Sequence, residues 1–205
     1  MGQTSMGARK ILSAPWVYSL FQALMGAHTG WLRFINDHVR PAPGDAILDI
    51  GCGPGDILRY LPDVSYWGFD VSAAYIDRAI RTYGKRGNFH CGVLTAEHLK
   101  EMPSFDIVTA SGVLHHLDDK TALEVVHLAL RALKPGGRLV TVDPCLVPRQ
   151  NLIARFLISC DRGQNVRTRE GYARLVSEVF PKLRIEIRHK AWIPYTHCYM
   201  ECTRT

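Results

Sequence analysis

The residues Ala46-Ile47-Leu48-Asp49-Ile50 run directly into Gly51-Cys52-Gly53-Pro54-Gly55-Asp56, and this junction restricts the fold more than any other stretch of the chain. The apolar run suits a buried strand. Glycine at every second position then permits positive φ, and without a Cβ the backbone can approach a ligand closely. A helix opening near Asp56 would aim its free N–H groups at that ligand. Strand, glycine turn and helix is how a nucleotide-like cofactor is held at the edge of a doubly wound sheet.

The spacing selects among cofactors. A dinucleotide site wants G-x-G-x-x-G with a pyrophosphate at the helix N-terminus. Here the third glycine comes one residue early, and Pro54 sits inside the turn. Asp49 and Asp56 flank the loop; they would repel a pyrophosphate and suit a cation. S-adenosylmethionine carries a sulfonium and an ammonium and no phosphate. A second strand, Tyr66-Trp67-Gly68-Phe69-Asp70, ends in an acid 19 positions beyond Gly51, where a carboxylate can accept hydrogen bonds from both ribose hydroxyls. A nicotinamide dehydrogenase fits neither the spacing nor the charge.

With these residues the chain resembles the class I S-adenosylmethionine-dependent methyltransferases, in particular bacterial enzymes acting on small molecules. The matching residues are Leu48-Asp49-Ile50-Gly51-Cys52-Gly53-Pro54-Gly55 and Gly68-Phe69-Asp70-Val71-Ser72. Further on they are Phe105-Asp106-Ile107-Val108, Gly112-Val113-Leu114-His115-His116-Leu117 and Leu133-Lys134-Pro135-Gly136-Gly137-Arg138-Leu139. The likeness is close over residues 44–144 and loose elsewhere. It implies an α/β fold: a doubly wound, mostly parallel seven-stranded sheet with an antiparallel C-terminal strand. It also implies S-adenosylmethionine as cofactor and S-adenosylhomocysteine as product.

Strand–helix alternation independently implies a parallel sheet covered on both sides. The pattern predicts strands at 46–50, 65–70, 87–91, 105–110 and 137–143, with helices at 55–61, 72–83, 95–100 and 118–133. Leu123, Val126, Leu130 and Leu133 share one face of the last helix. Residues 1–43 read as an N-terminal helical cap closed by Pro41-Ala42-Pro43-Gly44, and 44–205 as the core of one structural domain. Residues 145–165 read as an insert, followed by a helix at 168–179. Leu183, Ile185 and Ile187 alternate with charges as in a half-buried strand, and a last strand at 196–203 returns antiparallel.

Arg9-Lys10 before Ile11-Leu12 imitates a secretory leader, but Ser13, Tyr18, Ser19 and Gln22 interrupt the apolar run and favour an amphipathic helix. No stretch is long and apolar enough to span a membrane. The six cysteines form no C-x-x-C pair; they read as reduced thiols of a cytoplasmic chain, with no zinc site and no disulfide framework. Between Cys145 and Lys190 ten bases face four acids, an excess equal to the chain's whole net charge of +6. That segment is either a solvated face or a surface for an anionic acceptor or nucleic acid.

Asp49, Gly51, Cys52, Gly53 and Gly55 are the candidates for the methionine end of the cofactor. Asp70 is the candidate for the ribose, with Val71 beside it; helix capping is its alternative role. Gly92 and Val93 fall by the adenine, where many relatives carry an acid that this chain lacks. Ser111 lies past the fourth strand, on the loop that faces the transferable methyl, and His115 and His116 are candidate bases for an oxygen acceptor. Packing beside the cofactor is the alternative for either histidine. Asp118 and Asp119 open the following helix and are not read as metal ligands. Asp143, Cys145, the insert and the aromatic Trp16, Tyr18 and Phe21 overhang the acceptor pocket. Asp161-Arg162-Gly163 with Val166-Arg167 forms either a binding clasp or a structural ion pair, and Tyr195 and His197 are further candidates. The expected activity is methyl transfer to a small molecule, with oxygen as acceptor atom. The competing readings are an RNA or other nucleic-acid methyltransferase and a non-catalytic S-adenosylmethionine-binding protein. Against nucleic acid, Ala110-Ser111-Gly112-Val113 replaces the acid-or-Asn-Pro-Pro-aromatic motif that presents a flipped base in many such enzymes.

Overall fold

The computed structural model describes residues 27–159, 163–190 and 195–205. The first strand, β1 (Ala46–Ile50), is buried at every position. Its alternating side chains enter two separate cores: Leu48 and Ile50 pack on one face of the sheet and Ile47 on the other. An apolar run without alternation is what a central parallel strand requires.

The remaining main strands are β2 (Ser65–Asp70), β3 (Asn88–Cys91), β4 (Phe105–Ser111), β5 (Leu133–Leu146), β7 (Lys182–Lys190) and β8 (Tyr195–Thr203), with a two-residue β6 (Arg167–Thr168). Their order is β3-β2-β1-β4-β5-β8-β7, with β6 pairing β5 off this path. Pairing is parallel from β3 through β5, and β8 runs antiparallel to both β5 and β7. The sheet is therefore the doubly wound, mostly parallel one expected, with its antiparallel strand at the C-terminus. The strand ends Ile50, Asp70 and Ser111 gather on one rim with Asp143 of β5 one residue past the partner of Ser111, and the order reverses between β1 and β4. That is the point where such sheets bind ligands.

The helices are α1 (Ala27–Phe34), α2 (Ala73–Tyr83), α3 (His98–Glu101), α4 (Asp119–Ala132), α5 (Leu152–Ser159) and α6 (Arg169–Ser177). Of the cap expected over residues 1–43, only α1 and the wider π-helical turn Ile35–Val39 fall among the described residues. Trp16, Tyr18, Phe21 and the leader-like residues lie outside them. The turn is held by Arg138, which donates to the carbonyls of His38 and Val39. It is also held by buried Glu201, which meets His38 at 3.0 Å and Arg40.

Three expectations need correction. The helix at 55–61 is only a 3-10 turn, Asp56–Arg59; Pro62 lies three residues beyond it, and the residue before a proline, Leu61, is disfavoured in helical geometry. No macrodipole therefore stands behind the glycine turn. The strand at 137–143 extends to Leu133–Leu146 because Leu133 pairs Phe105 before a register shift, and Cys145 and Leu146 pair β6. The expected row of the 118–133 helix is only partly the core face: Val126 and Leu133 are buried but Leu123 is half-buried, and Ala122, Ala129 and Ala132 complete the buried face, since alanine lets the helix backbone sit close to the sheet. Leu130 flanks that face and covers the core edge.

Candidate active site

The glycine turn is fastened to the end of β2, with Gly51 N–H and Cys52 N–H both donating to the Phe69 carbonyl at 2.8 and 3.0 Å. Gly51 and Gly53 have φ of 72° and 55°, so both occupy left-handed backbone. They serve different ends. A Cβ on Gly51 would come within 2.5 Å of Val113, whereas a Cβ on Gly53 would meet nothing within 4 Å. Gly51 is thus closed by packing and Gly53 borders open space. Gly92 also borders open space, while Gly55 packs against Phe89 and is buried.

Asp70 ties this region together. Its carboxylate accepts from Gly53 N–H at 2.9 Å and from Ser72 N–H at 2.8 Å. The cap of α2 is Ser72, whose side chain accepts from Tyr75 N–H; Asp70 braces the turn instead, half-buried at the rim. Gly92 N–H donates to the Asp70 carbonyl at 2.9 Å, which sets the end of β3 beside the end of β2. Val71 and Val93 each follow that bond by one residue and are 72% and 65% exposed. Both valines leave apolar side chains in solvent at the ends of these two strands.

Asp49 and Cys52 stand differently from the expectation that they line the pocket. Asp49 lies beneath the turn, 3% exposed, and accepts from Tyr66 Oη at 2.7 Å and Thr109 Oγ1 at 2.8 Å. Desolvation raises its pKa to about 6, against the lowering effect of those two bonds. Its field reaches the turn from below. Cys52 points its thiol down among the packed residues under Gly68, and burial raises that thiol's pKa. Its N–H and carbonyl are both engaged within the turn and β2. Cys52 therefore shapes the turn and presents no side chain to a ligand. The sequence offered no sign of the Tyr66 and Thr109 partnerships. Thr109 is found only through the register that sets Asp49 opposite it.

Across the reversal point, Ser111 ends β4 and leads through Gly112 to a 3-10 turn, Leu114–His116. His115 is buried at 4% exposure, with Nδ1 2.8 Å from Asp143 Oδ1, and its backbone N–H donates to the same oxygen at 3.1 Å. Asp143 is 1% exposed and its Oδ2 has no hydrogen-bond partner among the described residues. His116 lies on the exposed side of the turn, its ring centroid 4.1 Å from that of His115. The His115 ring is flanked by two glycines: a Cβ on Gly112 would lie 3.7 Å from Cε1, and one on Gly163 would overlap the Cδ2 side.

Arg167 clamps this turn. It donates to the carbonyls of Leu114 and Leu117, each at 2.7 Å, and pairs Asp119 at 2.7 Å. Of the two roles left open for Arg167, the structure favours the structural one; Asp161 and Arg162 lie outside the described residues. Asp118 caps α4 by accepting from Thr121 N–H at 2.8 Å. His197 pairs with Pro144 in the β5–β8 ladder, and its ring lies tilted against that of Tyr195 with centroids 5.0 Å apart. The basic segment spends much of its charge internally: Arg184 and Arg188 meet Glu201, Glu186 and Asp37.

A methyltransferase-domain family model matches residues 48–139, the stretch that carries the glycine turn, Asp70 and the histidine turn. Over this stretch the chain is similar to the class I S-adenosylmethionine-dependent methyltransferases. Among relatives, the chain is 37% identical over 112 residues to 27-O-demethylrifamycin SV methyltransferase of Amycolatopsis mediterranei, covering 51% of the chain and 40% of that protein. It is 32% identical over 149 residues to the ubiquinone/menaquinone biosynthesis C-methyltransferase UbiE of Vibrio cholerae, covering 66% of the chain and 56% of that protein. The chain thus spans about half the length of the curated relatives it matches. Its fold matches that of a geranyl diphosphate C-methyltransferase from Streptomyces coelicolor with a TM-score of 0.64 at 18% identity, over 86% of this chain and 76% of that one. No helix of the described residues is long and apolar enough to cross a membrane.

Proposed function

We propose that this chain moves the methyl group of S-adenosylmethionine to a small-molecule acceptor, with oxygen as the accepting atom. The residues suit the cofactor: a Cβ on Gly53 or Gly92 would meet nothing within 4 Å, so open space for a ligand lies beside both. Asp70 has lone pairs beyond the two that brace the turn and would take the ribose hydroxyls. Val71 and Val93 would sandwich the adenine edge, and Asp49 would favour the cationic methionine end from below. When bound, the cofactor supplies a methyl group activated by a sulfonium, so the leaving group needs no assistance. The protein's work is then alignment and handling of the acceptor's proton.

The observation that carries the reading of a base at the acceptor is the His115–Asp143 pair. The buried Asp143 carboxylate 2.8 Å from Nδ1 favours a positive charge on the imidazole. At a hydroxyl acceptor the His115 imidazole would take the proton, and Asp143 would stabilise the imidazolium that forms. A carbon acceptor with an acidic C–H would use the same base, and the relatives named above include both kinds. His116, on the exposed side, borders the acceptor's entry. Purified protein is assayed for radiolabelled methyl transfer into fractionated small metabolites, with base treatment and mass spectrometry to identify the bond formed. A methyl ether or ester supports the proposal; product found only in RNA, or no product at all, ends it.

A further inference from the structure

After β5 the chain forms α5, and this helix leaves an unusual face in solvent. Leu152, Ile153 and Phe156 are 81%, 60% and 64% exposed. At roughly 100° per residue they share one sector. The opposite side buries Ala154 and Ile158. The helix is held in place. Gln150 Nε2 donates to the Cys145 carbonyl at 3.0 Å and to Thr196 Oγ1 at 3.2 Å, and Asn151 Oδ1 accepts from Ile153 N–H at 2.9 Å. The apolar sector is therefore presented by an anchored element.

Its charge surroundings identify what it meets. Residues 146–159 contain Arg149 and Arg155 and no acid. Both arginines are exposed, and neither takes part in an ion pair among the described residues. They differ in this from Arg167, Arg184 and Arg188 of the same basic segment, which are neutralised within the fold. A second copy seated on this face by two-fold symmetry would bring like charges together with no acid to offset them. Nucleic acid would satisfy the arginines but leave Leu152, Ile153 and Phe156 in water. An anionic phospholipid surface satisfies both: acyl chains take the apolar side chains and headgroups take the guanidinium groups.

We propose that α5 is an interfacial helix that docks this chain on anionic phospholipid, with Leu152, Ile153 and Phe156 inserted and Arg149 and Arg155 at the headgroups. The proposal goes beyond methyl transfer and does not depend on the acceptor.

The test is co-sedimentation of the full chain with vesicles of phosphatidylcholine, with and without phosphatidylglycerol. Partitioning onto the phosphatidylglycerol vesicles is expected, weakening as salt is raised. The double variant Leu152→Ser/Phe156→Ser should partition at least about tenfold more weakly. Arg149→Gln and Arg155→Gln should each weaken it about fivefold and reduce the preference for phosphatidylglycerol. Circular dichroism and S-adenosylhomocysteine binding should be unchanged in all of them, which separates loss of docking from loss of fold or of the cofactor site. No partitioning of the wild-type chain, or partitioning that the double variant leaves intact, overturns the proposal. So does a wild-type dimer, measured by analytical ultracentrifugation, that the double variant converts to monomer, because the face would then belong to a second copy.

Discussion

The two sides of the rim are built by different means. On the cofactor side, Gly51, Gly53, Asp70 and Gly92 act largely through backbone: carbonyls fasten N–H groups, glycines keep space open, and one carboxylate braces the turn. On the acceptor side, His115 and Asp143 meet from 28 positions apart, and Arg167 reaches Asp119 from 48 positions away. The first side is written in short runs at fixed spacing, and the second in side chains that only the tertiary fold brings together. A constant ligand can be held by the first kind of site, while the second kind can be exchanged residue by residue to suit a different acceptor.

Separate losses would sharpen this contrast. The largest effect should come from His115→Gln. Turnover is expected to fall roughly 10²–10⁴-fold while S-adenosylhomocysteine affinity stays within about twofold. Steady-state kinetics and calorimetry on the same preparation check it, and parallel loss of both quantities would mean that the two sides are one unit. Next comes Asp70→Ala on the opposite side. Losing the turn brace and the ribose acceptor should weaken S-adenosylhomocysteine binding by at least about tenfold, as charge-assisted hydrogen bonds are worth about 1.5–3 kcal/mol each. The His115–Asp143 pair should be untouched.

A smaller, pH-gated effect is expected at Asp49. Its pKa is raised from 3.8 to about 6 by burial, so the folded state holds this proton more tightly than the unfolded chain does. The stability linked to this group is therefore full below about pH 4 and drains away as pH rises through about 6. In thermal melts across that window, Asp49→Asn should lose the downward slope and gain stability relative to wild type at pH 7. Cofactor affinity of the wild type should rise over the same interval, because a cation favours the ionised carboxylate. The smallest effect should be that of Cys52→Ala. Removing a buried thiol costs about 1 kcal/mol of stability in denaturant titration, yet affinity should move less than about twofold, since Cys52 offers the ligand no side chain.

The same contrast explains what could be read before the fold was known. The order of strands, the glycine turn and the carboxylate at 70 were legible because each rests on local pattern: a buried run, glycines at alternate positions and an acid at the end of the next strand. The burial of Asp49 was not, because it depends on Tyr66 from β2 and Thr109 from β4, neither of which carries a local signature. The short turn at 56–59 could have been anticipated from Pro62. The buried face over 118–133 was legible in Val126 and Leu133 but not in Ala122 and Ala129, because alanine carries little hydrophobic signal yet determines how closely a helix approaches a sheet. Arg167 could be named as a clasp, but its clamp on the histidine turn emerges only when β6 pairs β5.

The central claim is that the turn at Gly51–Gly55 and the carboxylate of Asp70 hold S-adenosylmethionine. Isothermal titration of the wild-type chain with S-adenosylhomocysteine, alongside NADH and ATP, tests it most directly. Saturable binding of S-adenosylhomocysteine with a dissociation constant on the order of 10 μM, lost in Asp70→Ala, and no binding of either phosphate-bearing nucleotide at this site, is the predicted result. Absence of heat with S-adenosylhomocysteine, or tighter binding of a diphosphate that Asp70→Ala also abolishes, would contradict it.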